Sequence, residues 1–192
     1  MTPPSPDTPP YGPLAYDPED GSVVIADFAN PDPVEEARWR FLADRVMGGV
    51  SRGSAVVEGV EGHRALHLRG KVSLDRGGGF IQVVRGLGEE RGSPLDASDH
   101  SGLGALVRGV PGKYFLHLRT SHTRAPWQYY GAPLPVEREW RFVKLIWSDF
   151  VAQSTSHPLD PSALIRVGLV AAWASFEADV ALAHLTLLPR GP

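Results

Sequence analysis

The chain has 192 residues, of which 42% are hydrophobic, so it can bury a core and is not an intrinsically disordered protein. Its 19 basic and 22 acidic residues produce no strong field of either sign, and nucleic acid is therefore not expected as a partner. The chain contains no cysteine, which excludes disulfides, thiolate metal sites and cysteine nucleophiles.

The first residues lack the features of a targeting or membrane segment. Residues 1–37 contain no Lys or Arg, whereas a signal peptide begins with a basic stretch before its apolar run. No apolar run approaches the ~18 residues of a membrane span. We therefore expect a cytoplasmic, bacterial protein without membrane insertion. Seven prolines in the first 18 residues predict a disordered tail over 1–20, followed by a single β-sandwich domain over 21–192.

Short β-strands separated by turn signals are predicted along the rest of the chain, which is rich in Gly and Pro. Leu66 and Leu68 fall on one face of their strand while His67 and Arg69 fall on the other, and residues 114–121 alternate in the same way. The predicted strands are 22–28, 54–59, 64–74, 79–85, 103–109, 113–121, 127–134, 139–147, 163–172 and 176–188, with short helical pieces at 33–39 and 161–164. This pattern predicts an all-β protein with two antiparallel sheets, a β-sandwich of jelly-roll type.

One short motif raises the alternative of an enzyme. Residues 49–53 match the pattern G-x-S-x-G, in which Ser51 would be the nucleophile of a hydrolase. That motif works where a strand turns sharply into a helix, but the following residues 54–59 are predicted to form a strand. A pentapeptide match is weak support by itself. We therefore expect a non-enzymatic protein with no catalytic residue.

Neither metal ions nor cofactors are predicted from the remaining motifs. The seven histidines lack the spacing of a zinc site, and the glycine-rich stretch 76–80 lacks the Lys-Ser/Thr ending of a phosphate loop. The acidic turns 17–21 and 96–99 lack the alternating pattern of a dedicated calcium loop. A structural calcium ion at such a turn stays an open alternative, because β-sandwiches of this size sometimes carry one.

A candidate binding surface combines polar and aromatic residues on neighbouring predicted strands. The polar residues at predicted sheet positions are Arg108, His117, Arg119 and Ser121. Trp127, Tyr129 and Tyr130 add aromatic rings, and rings beside hydrogen-bonding groups are typical of a sugar or peptide groove. In the alternative interpretation, Trp127 and Tyr129 fill the core and Tyr130 is half-exposed. The alternation within one strand does not show which face is buried.

The segment 42–51, Leu-Ala-Asp-Arg-Val-Met-Gly-Gly-Val-Ser, resembles the Asn-Asp-x-Val-Met-Gly-Gly-x-Ser signature of the complex I intermediate-associated protein 30 family. Trp39 matches the tryptophan that precedes that signature, and the resemblance continues in order through 140–143 and 149–150. It covers roughly residues 24–188. The family is similar to galactose-binding-like jelly rolls, and its best-known members are assembly factors for respiratory complex I. The resemblance therefore implies a jelly-roll domain with an assembly role.

The signature segment has properties that suit two roles. Its candidate binding residues are Asp44, Val46, Met47, Gly48, Gly49 and Ser51. Asp44 can accept hydrogen bonds from turn amides, the glycines permit positive φ or close backbone approach, and Met47 supplies an adaptable apolar contact. These properties fit a rigid structural corner and a partner-docking loop equally well.

Two functions follow as hypotheses. In the first, the protein is a non-enzymatic assembly factor whose partner is a protein, such as a respiratory complex subunit or another assembly factor. In the second, it is a carbohydrate-binding module that uses a concave sheet face or end loops to hold a glycan. The residues expected to bind the glycan are Arg108, Arg119, Trp127, Tyr129 and Tyr130. The expected cytoplasmic location argues against the second hypothesis.

Overall fold

The structure is a computed structural model that describes residues 21–90 and 92–191. The predicted tail over 1–20 lies outside the described residues. The strands are β1 (Val23–Asp27), β2 (Trp39–Ala43), β3 (Arg52–Val60), β4 (His63–Val72), β5 (Phe80–Gly86), β6 (His100–Gly109), β7 (Tyr114–Thr120), β8 (Tyr129–Pro133), β9 (Arg141–Ile146), β10 (Val151–Gln153), β11 (Leu164–Ala172) and β12 (Phe176–Pro189). The helix α1 spans Pro33–Arg38, and 3-10 turns span Asp44–Met47, Asp75–Gly77, Trp147–Asp149 and Pro161–Ala163.

Within the described residues, the strands form two antiparallel sheets of six strands each. Sheet 1 runs in the order β3-β4-β12-β6-β9, and β1 pairs with the second half of β12, beyond the part that pairs with β4. Sheet 2 runs in the order β10-β8-β7-β11-β5-β2. The predicted all-β sandwich with antiparallel pairing is therefore confirmed.

The core lies between the two sheets and follows from the alternation of the strands. In β7, Leu116 and Leu118 are fully buried in the core, while His117 and Arg119 lie on the outer face of sheet 2. Leu68 of β4 belongs to the same core cluster and comes from sheet 1. Each sheet thus has one face in the core and one outer face, as expected for strands with period-2 alternation.

Two strands, β2 and β10, were not predicted from the sequence, and each omission has a local reason. β2 follows α1 directly, with no glycine or proline between them to mark the change, so residues 33–39 were predicted as one helical piece. Asp32 begins α1 by accepting hydrogen bonds from the N–H groups of Val34 and Glu35. β10 has three residues, which is too short for an alternating pattern. The short helical pieces themselves are confirmed at α1 and at the 3-10 turn Pro161–Ala163.

In the described part of the chain, no helix has the length and apolar character needed to cross a membrane.

Candidate functional site

The outer face of sheet 2 forms the floor of a cleft of about 600 Å³. The floor comes from outward positions on four strands and includes Leu42, Gln82, Val84, His117, Arg119, Gly168 and Val170. Gly168 lies between His117 and Val84, its paired neighbours on β7 and β5. Glycine has no side chain and therefore adds no bulk to the floor at this point. The rim is formed by loop residues, among them Val46, Met47, Leu74, Trp127 and Trp173.

The rim presents two large aromatic side chains to solvent. Trp127 is 65% exposed and Trp173 is 59% exposed. Trp173 has φ of 65°, in the left-handed region that bulky residues rarely adopt, and its N–H donates to the Gly79 carbonyl at 3.2 Å. Such backbone strain persists where the surrounding structure holds it and often accompanies a binding role. The chain therefore holds an exposed indole at the rim through an unfavourable backbone conformation.

His117 and Tyr129 form an uncharged aromatic pair on the floor. Their rings are stacked, with centroids 4.0 Å apart and an interplanar angle of 17°. Burial, together with the nearby charge of Arg166, lowers the pKa of His117 from 6.5 to about 3. Burial also raises the pKa of the Tyr129 hydroxyl. At neutral pH both rings are neutral and offer a flat surface for an apolar or aromatic group.

The buried half of the signature segment is organised by Asp44, whose side chain is fully buried. Its carboxylate accepts hydrogen bonds from the Ser51 N–H (3.0 Å), the Ser51 hydroxyl (2.5 Å), and the N–H groups of Gly79 (2.6 Å) and Phe80 (3.3 Å). Burial acts to raise the pKa of Asp44, but the hydrogen bonds outweigh it and lower the pKa below its ordinary value. These bonds tie the β2–β3 loop to the loop that precedes β5.

The two glycines of the signature allow this loop to fold tightly. Gly48 has φ of 90°, a left-handed conformation that glycine adopts without cost. Gly49 has ordinary φ, but a Cβ atom there would lie 2.3 Å from Cγ of Asp44. The tight turn leaves Val46 81% exposed and Met47 69% exposed on the cleft rim. The segment therefore has a buried anchor and an exposed apolar tip.

The position of Ser51 is incompatible with a nucleophile elbow. Its side chain is fully buried, and its hydroxyl contacts the carboxylate of Asp44 and the backbone of Ser73. The residues that follow form β3 instead of a helix. Ser51 is thus a structural member of the loop. Among the described residues, no group of three or more His, Asp or Glu side chains is placed to hold a metal ion.

The structure brings some of the candidate binding residues together and separates others. Arg119, Trp127 and Tyr129 line the same cleft as Asp44, Val46 and Met47, whereas Gly48, Gly49 and Ser51 shape the loop behind the rim. Tyr130 is fully buried, and its hydroxyl donates to the carbonyls of His157 and Pro158 at 3.0 and 3.2 Å. The alternative in which Trp127 and Tyr129 fill the core and Tyr130 is half-exposed is therefore wrong.

Arg108 lies away from the cleft. It belongs to β6 of sheet 1, opposite Ala181, and its Nε donates to the Arg138 carbonyl at 2.9 Å. In contrast, several cleft residues were not identified from the sequence, namely Leu74, Arg166 and Trp173. Trp173 alone carried a usable signal, since it lies in the short turn between two apolar strands, and turns lie on the protein surface.

In fold, the chain is similar to a family 11 carbohydrate-binding module of a cellulosomal cellulase of Clostridium thermocellum, with a TM-score of 0.69 and 13% identity over 88% of this chain and 95% of that chain. A family 11 module from that organism in complex with a β-1,3-1,4-mixed-linked tetrasaccharide has a TM-score of 0.66 and 12% identity, with the same coverage. A family 30 module of a cellulosomal cellulase of C. thermocellum has a TM-score of 0.61 and 14% identity over 89% of this chain and 99% of that chain. At identities this low, the structural similarity establishes the fold alone, which is a galactose-binding-like jelly roll.

No curated protein matches the chain significantly in sequence. The model of the family described as Complex I intermediate-associated protein 30 (CIA30) matches residues 26–181, which is most of the chain. This match includes the signature segment and confirms the resemblance found there. The chain therefore belongs to the complex I intermediate-associated protein 30 family.

Proposed function

We propose that this protein is a non-catalytic assembly factor that holds a segment of a protein partner in the cleft of sheet 2. The proposed partner is a subunit or another assembly factor of respiratory complex I. One observation carries the proposal: the exposed tip of the family signature, Val46 and Met47, lines the same cleft as Trp127 and Trp173. The signature that defines the family and the open surface of the fold therefore coincide.

The chemistry of this rim suits a protein partner. Burial of exposed apolar side chains contributes about 25 cal/mol per Å² of area removed from water. Methionine adapts to irregular partner surfaces, and tryptophan is enriched among the residues that dominate protein–protein binding energies. Met47 and the two tryptophans can thus supply affinity without any chemical step, in keeping with the buried position of Ser51.

A deletion strain of the encoding organism tests the role in complex I assembly. We expect complex I activity to fall in the deletion strain and to recover with the parent protein. Gly168→Leu, which places a large side chain on the floor between His117 and Val84, should restore little activity although the protein is folded. Arg108→Gln, on the outer face of sheet 1, is the matched control and should restore activity fully. Unchanged complex I activity after deletion would contradict the proposal.

Site-specific cross-linking tests the surface itself. A photo-reactive amino acid at Met47 should capture a complex I subunit or assembly factor in cells. The same amino acid at Val56, an exposed position of β3 in sheet 1, serves as control and should capture none. Equal capture from both positions would place the contact outside the cleft.

Carbohydrate binding is the second candidate, supported by the fold shared with carbohydrate-binding modules and by the exposed ring of Trp127 beside Tyr129. Aromatic rings stack on sugar rings, but a glycan also needs several hydrogen-bonding groups. On the floor, these are Gln82, His117, the Tyr129 hydroxyl and two arginines, since Asp44 is engaged within the protein. Binding on a glycan array that includes β-1,3-1,4-mixed-linked glucan oligosaccharides, lost in folded Trp127→Ala, would favour this candidate. A blank array at high protein concentration would exclude it.

A further inference from the structure

We propose that Arg40, Arg119 and Arg166 form a carboxylate-binding end of the cleft, so that the protein segment held there is acidic as well as apolar. This proposal rests on the proposed function, because it takes a protein segment as the occupant. It specifies which chemical class of segment the cleft selects.

The three arginines come together through strand pairing. Arg166 of β11 is paired directly with Arg119 of β7, and both side chains lie on the outer face of sheet 2. Both also line a second cavity of about 460 Å³ that adjoins the cleft and that Arg40 of β2 lines as well. The cleft therefore continues past the guanidinium groups instead of ending at them.

This arrangement is unfavourable for the isolated protein. Like charges that face each other directly across paired strands destabilise a sheet. Burial lowers the pKa of Arg166 to about 10, and the charges of Arg119 and Arg40 add to this effect. The group stays protonated at neutral pH, so the repulsion persists in the free protein. An anion placed among the three side chains would relieve it.

Nothing in the described part of the chain neutralises these charges. Neither the Arg40 side chain nor the Arg166 side chain has a hydrogen-bond or ion-pair partner within residues 21–90 and 92–191. Arg119 donates from Nη2 to the carbonyls of Thr123 and Ala125, at 2.7 and 3.0 Å. Those neutral acceptors fix the position of the guanidinium and leave its charge uncompensated, which pre-organises it for an anion.

Several other arginines of the described residues are paired with carboxylates, in contrast to these three. Bonds of 2.6 to 2.8 Å join Arg85 to Glu35, Arg64 to Glu36 and Arg69 to Glu58. Glu89 and Glu90 line the second cavity, yet no ion pair joins them to the three arginines in the described residues. Asp44, at the other end of the cleft, is occupied by its own hydrogen bonds.

The opposite end of the cleft favours a peptide over an acidic glycan. There the rim is formed by Val46, Met47 and Leu74, which are aliphatic or thioether side chains and offer no hydrogen bonds to sugar hydroxyls. From Arg166 to Ala172 the strand β11 extends over about 20 Å, at ~3.3 Å per residue. An extended segment of about six residues spans that distance, with a carboxylate at one end and apolar side chains at the other.

Selection from a random dodecapeptide library displayed on phage tests this proposal. The immobilised proteins are the parent, the double variant Arg40→Gln/Arg166→Gln, and the control Arg108→Gln. We expect peptides selected on the parent and on the control to combine apolar residues with Asp or Glu. The double variant should select apolar residues without the acidic enrichment. It should also melt no lower than the parent, because the substitutions remove a repulsion.

Selected peptides then provide a quantitative test. Replacing their Glu by Gln, or Asp by Asn, should weaken binding to the parent by about tenfold, and should change binding to the double variant little. Apolar enrichment on the parent without acidic enrichment would overturn this proposal and leave the proposed function intact. No enrichment on the parent would overturn both. Binding of oligogalacturonate in the cleft, with no peptide selected, would assign the arginines to an acidic glycan and overturn the proposal.

Discussion

The outer faces of the two sheets are both formed by alternate residues of their strands, but they differ in whether their charged side chains have partners within the protein. On sheet 1, His67 lies between Glu58 and Asp179 at 2.8 and 2.9 Å, and Arg69 pairs with Glu58. On the outer face of sheet 2, Arg40, Arg119 and Arg166 have no carboxylate partner among the described residues, and two tryptophans are exposed along the rim. These charged groups of sheet 1 are thus paired within the protein, whereas the outer face of sheet 2 presents uncompensated charge and exposed apolar side chains.

Trp140 shows how the face of sheet 1 is covered. Its ring lies against His63 with centroids 4.9 Å apart, and its Nε1 donates to the Glu61 carbonyl at 3.1 Å. It packs on a small buried cluster that includes Leu106 and Ala181. A tryptophan on sheet 1 therefore completes the fold, while Trp127 and Trp173 on sheet 2 extend into solvent. The outer face of sheet 1 is thus covered and that of sheet 2 is open, and this difference can be tested.

The largest effect is expected for Asp44→Ala, which removes the anchor of the open face's rim. We expect the free energy of unfolding to fall by ~3–5 kcal/mol, because buried donors of Ser51, Gly79 and Phe80 lose their acceptor. Urea denaturation measures this change. Asp96→Ala, which removes one exposed turn hydrogen bond, is the control and should cost less than ~1 kcal/mol. A loss below ~1 kcal/mol for Asp44→Ala would show that the rim is held by other contacts.

Truncation of tryptophans compares the two faces directly. Trp140→Ala should destabilise the protein by ~2–4 kcal/mol, since it uncovers an apolar cluster and removes a hydrogen bond. Trp173→Ala should change stability by less than ~0.5 kcal/mol because its side chain is largely exposed. Thermal unfolding of both variants measures the difference. Equal losses would contradict the division into a covered and an open face.

Replacing either glycine of the signature by alanine should destabilise the protein, but for a different physical reason at each position. Gly49→Ala should cost ~1–3 kcal/mol, because its Cβ would overlap the side chain of Asp44. Gly48→Ala should cost ~1 kcal/mol, because its φ is positive while the space around it is open. Chemical denaturation of the two variants under the same conditions shows which of them is less stable. A more stable Gly49→Ala than Gly48→Ala would indicate that the Asp44 anchor moves freely.

The neutral state of His117 predicts a pH dependence of folding. Because its pKa is near 6.5 unfolded and about 3 folded, the unfolded chain binds a proton that the folded chain excludes. This contribution to stability is complete above pH 6.5 and is lost progressively as the pH falls towards 3. Between pH 6.5 and 5 the loss should be ~1.5 kcal/mol. His117→Gln should lack this slope in urea unfolding at several pH values, and equal slopes for both proteins would contradict the assignment.

The smallest effect on stability is expected for Met47→Ala. Its side chain is 69% exposed, so the free energy of unfolding should change by less than ~0.5 kcal/mol. Binding of a peptide selected on the parent protein should nevertheless weaken, as measured by isothermal titration calorimetry. Normal binding by Met47→Ala would remove the exposed tip of the signature from the binding surface.

Much of the fold followed from local properties of the sequence. Alternation of apolar and polar residues predicted ten strands, and all ten are present with ends shifted by a few residues. The segment around Asp44 and Met47 identified the family, because its run Val-Met-Gly-Gly, residues 46–49, matches the family signature. These features depend on neighbouring residues only, so the sequence determined them without knowledge of the packing.

The open face was decided by the tertiary structure. Tyr129 and Tyr130 are adjacent in the sequence, yet one stacks on His117 in the cleft and the other is buried in the core. Arg108 and Arg119 both occupy outward strand positions, but they lie on different sheets. Period-2 alternation defines two faces of a strand, but which face is buried depends on how distant strands pair and on which sheets pack together. The pairing of Arg119 with Arg166 is the clearest case, because residues 47 positions apart become neighbours only through that pairing.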